Sequence, residues 1–226
     1  MNVLITGANR GLGLEFARQL AARNDTVFAG CRVPKAASDL RLLNVQPIAL
    51  DVSDSASVDG AKREVSAQIQ RLNVIINNAG VFGSAAGDQR LGSLDADEAL
   101  HVMQVNYVGP MLVIDRLANL LGEGSKVVTI SSGYGSITHA STDWPVYYCC
   151  SKAAVNMLSR ILAGQLRGRG VTVISLDPGW VATDMGGASA PLQPAESVTD
   201  MLRVIDGLSP KDTGKFLSHR GHENPW

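Results

Sequence analysis

Short apolar segments alternate with longer amphipathic segments along the chain, and this alternation is what most constrains the fold. Several of the short segments are continuous apolar runs, such as 74–76 and 171–174. Runs of this kind are typical of parallel strands that are buried on both faces. Since strands alternate with helices, the sequence predicts an α/β fold with a doubly wound, mainly parallel sheet and helices on both of its faces.

The predicted elements are seven strands and six helices. We expect strands near 2–6, 26–30, 46–50, 73–77, 125–131, 171–176 and 214–218. We expect helices at 11–23, 35–44, 55–71, 95–120, 146–168 and 194–208. A length of 226 residues suits one such domain. The sequence therefore predicts a single Rossmann-type dinucleotide-binding domain over 1–226, with substrate loops near 82–94, 132–145 and 184–193.

Composition argues against several classes of partner. The 20 Lys and Arg residues nearly balance the 21 Asp and Glu residues, so no charge pattern indicates binding to nucleic acid or to an anionic membrane. The longest uncharged apolar-rich run, 102–114, is too short and too polar to span a bilayer. The cysteines (Cys31, Cys149 and Cys150) lack metal-site spacing, and the first residues predict a strand rather than a signal peptide. We expect no metal, no nucleic acid, no membrane and a cytoplasmic location.

The polar motifs follow the predicted strands, each at the carboxyl end. In chain order these motifs are Thr6-Gly7, Arg32, Asp51, 77–80, Ser131-Ser132 and Pro178-Gly179. In an open parallel sheet these ends share one edge, where ligands bind near the point at which the strand order reverses. The sequence therefore predicts a ligand site assembled along that edge.

Gly7, Gly11 and Gly13 connect the first strand to the first helix with the spacing G-x-x-x-G-x-G. Glycine permits a tight turn and close approach of the backbone to a phosphate. A helix that begins near Gly11 would direct its N–H groups and positive end at a pyrophosphate. The segment predicts a dinucleotide site; the alternative is a glycine-rich turn without a ligand.

The residues after the second strand favour NADP(H) over NAD(H). NAD sites of this kind place Asp or Glu there for the ribose hydroxyl, but no acidic residue occurs from Val27 to Ser38. Arg32 and Lys35, with Arg10 in the glycine loop, are suited to a 2′-phosphate, unless they are ordinary solvated charges. Asp51 is a candidate for the adenine amino group or, alternatively, an N-cap of the following turn.

Tyr148 and Lys152 are four residues apart in a predicted helix and so lie on one face. An ammonium near a phenol stabilises phenolate and lowers its pKa, which suits a tyrosine that acts as acid or base. Ser132 could hold the reacting oxygen. The alternative is a tyrosine packed on a lysine stem. Ser131 and Tyr147 are adjacent candidates for the same two roles. Adjacent strand residues face opposite sides, so only one of the two serines should point into the site. Of the two tyrosines, only Tyr148 has a lysine four residues later.

Together these motifs resemble the short-chain dehydrogenase/reductase family. The match comprises Thr6-Gly7-x-x-x-Gly11-x-Gly13, 77–80, Asn106, Ser132, Tyr148-x-x-x-Lys152 and Pro178-Gly179, in the family's order. The resemblance implies a catalytic tetrad of Asn106, Ser132, Tyr148 and Lys152. Tyr148 would be the acid or base, Ser132 the partner of the reacting oxygen, and Lys152 would also bind the nicotinamide ribose. Asn106 would help hold a water in a proton relay.

The implied cofactor contacts extend along the same edge. They are Gly7, Asn9, Arg10, Gly11, Leu12, Gly13, Arg32, Asp51, Val52, Asn78, Ala79, Gly80, Tyr148, Lys152, Pro178, Gly179, Val181 and Thr183. Thr183 matches a position that contacts the nicotinamide carboxamide. The resemblance thus implies NADPH-dependent transfer of hydride between nicotinamide and a small-molecule carbonyl or alcohol.

The last third of the chain is similar to a narrower group, the C-factor and sniffer-like carbonyl reductases. The similarity lies in 178–187, Glu196-Ser197-Val198 and Asn224-Pro225-Trp226. Because that group includes a bacterial developmental signalling protein, a signalling or regulatory role with incidental turnover is the alternative function. The family also implies a homodimer built on helices 95–120 and 146–168. The apolar stripe Val155, Leu158, Leu162 and Leu166 would face either the partner or its own sheet.

Overall fold

The computed structural model describes residues 1–83 and 89–226. Its centre is a seven-stranded sheet with the order β3-β2-β1-β4-β5-β6-β7, and every neighbouring pair is parallel. The strands are β1 Asn2–Thr6, β2 Thr26–Cys31, β3 Gln46–Ala49, β4 Val74–Asn77, β5 Lys126–Ile130, β6 Thr172–Asp177 and β7 Phe216–Ser218. The order reverses between β1 and β4, so the predicted doubly wound sheet is confirmed.

Helices cover both faces of the sheet. They are α1 Gly11–Ala22, α2 Ser55–Ser66, α3 Ala96–Met103, α4 Gly109–Leu117, α5 Val146–Leu166 and α6 Pro194–Gly207. Side chains alternate along each strand, so Val3 and Ile5 pack with α1 and α6 while Leu4 packs with α2, α4 and α5. The continuous apolar runs follow from this burial of both faces.

Two helix predictions were wrong in detail. The predicted helix 35–44 is only a pair of 3-10 turns, Pro34–Ala36 and Leu40–Leu42, because Ala37 leaves the helical region with a ψ of 74°. The predicted helix 95–120 is interrupted between α3 and α4 by a π-helical turn, Gln104–Val108. Such turns occur often at functional sites, and this one contains Asn106.

The apolar stripe on α5 faces the chain's own core. Val155 is 0% exposed, Leu158 and Leu166 are 8% exposed, and Leu162 packs against the core under α2 and α4. The side chains that α5 presents outward are instead Met157 and Ile161. The stripe is therefore explained without a partner.

The start of α1 is packed closely against the end of β4. A Cβ on Gly13 would lie 2.2 Å from the carbonyl oxygen of Gly7 and 2.5 Å from the amide nitrogen of Asn78. Gly7 itself has a φ of +67°, which glycine adopts without strain. Both positions therefore require glycine, one for space and one for backbone conformation.

We expect Gly13→Ala to lower the free energy of unfolding by about 1–3 kcal/mol, the usual cost of overpacking. Urea denaturation would measure this. Gly164→Ala in α5 is the matched control, because no heavy atom lies within 4 Å of its added Cβ; there alanine should stabilise the helix by up to about 1 kcal/mol. Equal effects at the two positions would contradict the packing argument.

Candidate functional site

The carboxyl ends of the strands open into one cleft, and most of the predicted site residues line it. Those that do are Gly7, Asn9, Arg10, Gly11, Leu12, Arg32, Asp51, Val52, Asn78, Ala79, Gly80, Tyr148, Lys152, Pro178 and Thr183. Five predicted residues lie behind or beside the lining instead: Gly13, Asn106, Ser132, Gly179 and Val181. The structure thus gathers residues from β1, β2, β3, β4, α5 and the segment after β6 around one elongated space.

Asn78 holds the glycine loop in place from the neighbouring strand. Its amide nitrogen donates to the carbonyl oxygens of Thr6 (3.0 Å) and Gly7 (3.2 Å). In return, the hydroxyl of Thr6 accepts from the backbone N–H groups of Asn78 (3.0 Å) and Ala79 (2.9 Å). The helix that follows has no side-chain cap at Arg10. Gly11 and Leu12, at its start, line the cleft, where the first backbone N–H groups of a helix suit an anion.

The basic residues of the cleft have different surroundings. Arg10 forms an ion pair with Asp184 (3.0 Å), so it joins the glycine loop to the segment after β6. Arg32 is exposed at the end of β2 and lines the cleft, whereas Lys35 is exposed outside its lining. Arg32 is therefore the cation best placed for a phosphate near β2.

Asp51 fits both of its predicted roles. It lines the cleft, and its Oδ1 accepts from the backbone N–H (2.9 Å) and hydroxyl (2.6 Å) of Ser53. Burial raises its pKa, but these hydrogen bonds and the charge of Arg32 outweigh burial and lower the pKa overall. Asp54, not Asp51, caps α2. The carboxylate of Asp51 is thus held ionised at the cleft wall, with its other oxygen not engaged by Ser53.

Tyr148 and Lys152 are one turn apart on the buried side of α5. Tyr148 is 8% exposed and Lys152 is 5% exposed. The Lys152 Nζ donates to the carbonyl oxygen of Ile130 (2.8 Å) and lies 5.5 Å from the centre of the Tyr148 ring. The predicted pair is therefore brought together at the end of β5.

Burial shifts the pKa values of this pair in opposite directions. Burial raises the pKa of Tyr148 above its usual value, and a hydrogen bond with Ser132 acts against that rise. Burial lowers the pKa of Lys152 to about 8, and the charge of Asp177 opposes it. The pKa of Tyr148 is therefore raised, whereas the sequence predicted that it would be lowered. The reason is that desolvation of the phenol is the largest effect of the protein on this pKa.

The two serines after β5 have separate partners. The Ser131 hydroxyl is buried and donates to Oδ1 of Asn156 (2.7 Å), whereas the Ser132 hydroxyl accepts from the Tyr134 N–H (3.2 Å) and is near enough to Tyr148 to lower its pKa. Tyr147 points elsewhere, since its hydroxyl accepts from the backbone N–H of Asp95. Of the competing neighbours, Ser132 and Tyr148 are therefore the ones that meet.

Asn106 anchors the segment that follows β4. It is 1% exposed, and its Nδ2 donates to the carbonyl oxygen of Val81 (2.8 Å) and the hydroxyl of Ser151 (2.9 Å). Its Oδ1 accepts from the Val81 N–H (2.8 Å). Both amide protons are thus engaged within the protein, so the side chain has a positioning role; the water relay stays a prediction.

Aromatic side chains lie beside the Tyr148 ring. Ring centres lie 4.8 Å apart for Phe82 and Tyr148, 6.2 Å apart for Tyr134 and Tyr148, and 4.7 Å apart for Tyr134 and Trp144. These rings come from two predicted substrate loops, 82–94 and 132–145; part of the first, 84–88, lies outside the described residues. An apolar or aromatic molecule would fit against such a wall.

Hydrogen bonds fasten the loops 184–193 and 132–145. Trp180 is 58% exposed, and its Nε1 donates to the Gly186 carbonyl oxygen (2.8 Å), which ties down the segment 184–193. The carbonyl oxygen of Trp226 accepts from the N–H (2.9 Å) and hydroxyl (2.6 Å) of Thr138, while its ring stacks on Phe216. Trp226 therefore braces the loop 132–145 against β7.

Sequence reasoning missed two residues beside Tyr148 and Lys152. Asn156 lies one turn beyond Lys152 and holds both ends of the turn that carries Ser132, through Ser131 and the Gly135 carbonyl oxygen (3.2 Å). The signal was the spacing of Tyr148, Lys152 and Asn156 on one helix face. Asp177 directly precedes Pro178, and its negative charge raises the pKa values of both Tyr148 and Lys152.

Two kinds of feature are absent from the described residues, 1–83 and 89–226. No helix there is long and apolar enough to cross a membrane. In the same ranges, no three His, Cys, Asp or Glu side chains come together in a way that could hold a metal ion.

Comparison with known proteins gives consistent matches. The model of the short chain dehydrogenase family matches residues 1–193. The C-signal of Myxococcus xanthus is 41% identical over 158 residues, which are 69% of this chain and 93% of that protein.

Solved structures match over the whole length. An NADPH-bound carbonyl reductase from chicken fatty liver has a TM-score of 0.92 and 34% identity, covering 100% of this chain and 98% of that one. The carbonyl reductase Sniffer of D. melanogaster has a TM-score of 0.91 and 30% identity, covering 100% and 99%. Both of these neighbours are carbonyl reductases.

Proposed function

Because the chain belongs to the short chain dehydrogenase family, with C-factor and Sniffer-like character, we propose that it is an NADPH-dependent carbonyl reductase. The proposal starts from the finding that the chain is an oxidoreductase of this family's carbonyl reductase type. The observation that carries the proposal is that Tyr148 and Lys152 line the cleft side by side, with Ser132 next to Tyr148. A protein that only bound a dinucleotide would not need these three side chains together.

The choice of NADP(H) rests on charge at the other end of the cleft. Arg10 and Arg32 both line it, and no acidic residue occurs from Val27 to Ser38. A guanidinium suits a 2′-phosphate through paired hydrogen bonds. The solved relative from chicken is described as NADPH-bound. The glycine loop and the start of α1 would hold the pyrophosphate, and Asp51 would receive the adenine amino group.

The chemistry assigned to the residues is proton transfer beside a hydride acceptor. Bound NADPH supplies the hydride. Tyr148 donates its phenolic proton to the carbonyl oxygen while Ser132 hydrogen-bonds that oxygen and holds it in place. Burial keeps Tyr148 protonated at neutral pH, whereas the nearby Lys152 ammonium and the positive charge of an oxidised nicotinamide favour the phenolate as the proton leaves. The product is an alcohol.

The substrate class follows from the wall around Tyr148. Phe82, Tyr134 and Trp144 bring aromatic rings to that side of the site. We expect ketones, aldehydes or quinones with apolar or aromatic substituents.

A cytoplasmic location and one domain over 1–226 stay predictions.

The second candidate is a dinucleotide-binding signalling or regulatory protein whose turnover is incidental. The 41% identity to the C-signal of Myxococcus xanthus is the observation that favours it. The two candidates differ in whether the biological effect needs Tyr148 and Lys152. A phenotype that is fully rescued by the double variant Tyr148→Phe, Lys152→Ala would favour signalling.

We expect a homodimer formed through α3 and α5. These helices pack side by side, and Leu100, Met157 and Ile161 are 67%, 60% and 51% exposed on them. Burial of such side chains against a second copy would stabilise the pair. Sedimentation equilibrium should give the mass of two chains; the mass of one chain would refute this proposal.

We expect wild-type protein to consume NADPH with a panel of ketones, aldehydes and quinones, and Tyr148→Phe to lower kcat by roughly 10²–10⁴-fold because the proton donor is lost. Absorbance of NADPH measures turnover, and NADPH fluorescence shows whether binding is retained. Tyr147→Phe is the matched control, because its hydroxyl bonds to Asp95 away from the cleft. Full turnover in Tyr148→Phe would contradict the mechanism, and no wild-type turnover on any carbonyl would favour the signalling candidate.

We expect Arg32→Ala to raise the KM for NADPH about tenfold or more, which corresponds to about 1.4–3 kcal/mol for a lost charged hydrogen bond, without changing the KM for NADH. Lys35→Ala is the control, since Lys35 lies outside the cleft lining. Steady-state kinetics with both cofactors tests this. A wild-type preference for NADH, or equal effects of the two substitutions, would overturn the assignment of the 2′-phosphate to Arg32.

A further inference from the structure

The end of β6 brings a carboxylate to the catalytic pair. Asp177 is the last residue of β6, and the residue before it, Leu176, is paired with Ile130 of β5. The carbonyl of Ile130 is the acceptor for the Lys152 Nζ. Neighbouring strands are about 4.8 Å apart. Asp177 therefore lies on the strand directly beside Ile130, whose carbonyl oxygen binds the Lys152 ammonium.

The carboxylate of Asp177 is held in a fixed direction. Its Oδ1 accepts from the Gly179 N–H (3.1 Å), which belongs to the turn after β6. Its Oδ2 lies 3.6 Å from the place where a Cβ on Gly133 would be. Gly133 directly follows Ser132, so the carboxylate faces the turn that carries the serine of the site.

Lys152 needs a negative charge nearby. It is 5% exposed, and its recorded hydrogen bond is to one neutral carbonyl oxygen. In the described part of the chain, no carboxylate lies within the 4.0 Å of a direct ion pair with it. A buried ammonium without a countercharge is costly and tends to lose its proton. The charge that acts on it is that of Asp177.

The other groups that face the pair do not supply a negative charge at neutral pH. Tyr148 is faced by Ser132, Tyr134 and Cys149, besides Asp177. Burial raises the pKa of the Cys149 thiol to about 11, so it is neutral there. His219, which follows β7, lies against Gly179, the residue whose N–H binds Asp177.

We propose that Asp177 is a positioning residue of this site: its carboxylate is the countercharge that keeps the buried Lys152 ammonium protonated and ready to favour the Tyr148 phenolate. The electrostatic link from Asp177 to Lys152 does not depend on the proposed function. The effect of Asp177 on turnover does rest on the proposed function. Asp177 does not line the cleft, so it would act only through Lys152 and Tyr148.

The sign of the effect is determined by the charge. Lys152 is an ammonium below its pKa of about 8 and loses that charge as the pH rises through it. Replacing Asp177 by the uncharged Asn removes an opposing anion, so the ammonium is lost at a lower pH. A shift of about one pH unit is reasonable for one partly screened neighbour. Near pH 8 this reduces the charged fraction about fivefold, while near pH 6 it changes little.

The experiment is a pH titration of lysines labelled with ¹³C at Cε, followed by NMR in the wild type and in Asp177→Asn. Lys152→Met identifies the signal. Asn retains an oxygen that accepts from the Gly179 N–H, so the turn is preserved. Asp115→Asn is the matched control, a carboxylate that is 64% exposed on α4 and paired with Arg116. Turnover of NADPH from pH 6 to pH 9 is measured on the same proteins.

We expect the Lys152 midpoint to fall by about one unit in Asp177→Asn and to stay unchanged in Asp115→Asn. The high-pH limb of turnover should move down equally. An unchanged Lys152 midpoint in Asp177→Asn would overturn the proposal whether or not the protein turns over a carbonyl. A shifted midpoint with an unshifted turnover profile would support the link to Lys152 but overturn its role in the reaction.

Discussion

The hydrogen bond from Lys152 to the carbonyl of Ile130 joins the two elements on which the site depends. Ile130 ends β5, the strand that leads into Ser132, and Lys152 lies one turn after Tyr148 on α5. The bond thereby sets the strand and the helix in register at the point where their side chains meet. A Cβ on Gly135 would lie 2.9 Å from the backbone of Lys152, so the turn after Ser132 also packs directly on this helix. Small displacements of either element would separate Ser132 from Tyr148.

The same construction recurs at the cofactor end of the cleft. There Asn78, at the end of β4, binds the carbonyl oxygens of Thr6 and Gly7 at the end of β1. In both places a polar side chain bonds to backbone at the carboxyl end of a neighbouring strand. At interior positions of a sheet that is buried on both faces, a polar side chain is costly unless it finds a hydrogen-bond partner. The edge is therefore where polar side chains are both tolerated and useful, and where a ligand meets them.

Sequence predicted this edge because each motif follows an apolar run, and strand ends are set by local pattern. It also predicted the Tyr148 and Lys152 pair, since their spacing lies within one helix. It failed where tertiary packing decides. Nothing local marks the π-helical turn around Asn106, which depends on bonds to Val81 and Ser151. The helix expected at 35–44 has suitable residues but leaves the helical region at Ala37. The closeness of Asp177 to the Lys152 anchor depends on the pairing of β6 with β5, which no local pattern predicts.

Burial suits one member of the proposed catalytic pair, Tyr148, and works against the other, Lys152, and this decides what the surrounding charges must do. Desolvation favours the neutral phenol of Tyr148 and the neutral amine of Lys152. In the proposed reaction a neutral phenol is the correct state for donating a proton to a carbonyl, but a neutral amine could not favour the phenolate that remains. The site therefore has to restore charge to the lysine without ionising the tyrosine. An anion near both raises both pKa values, and so meets the two requirements at once. A carboxylate on the strand beside Ile130 is such an anion.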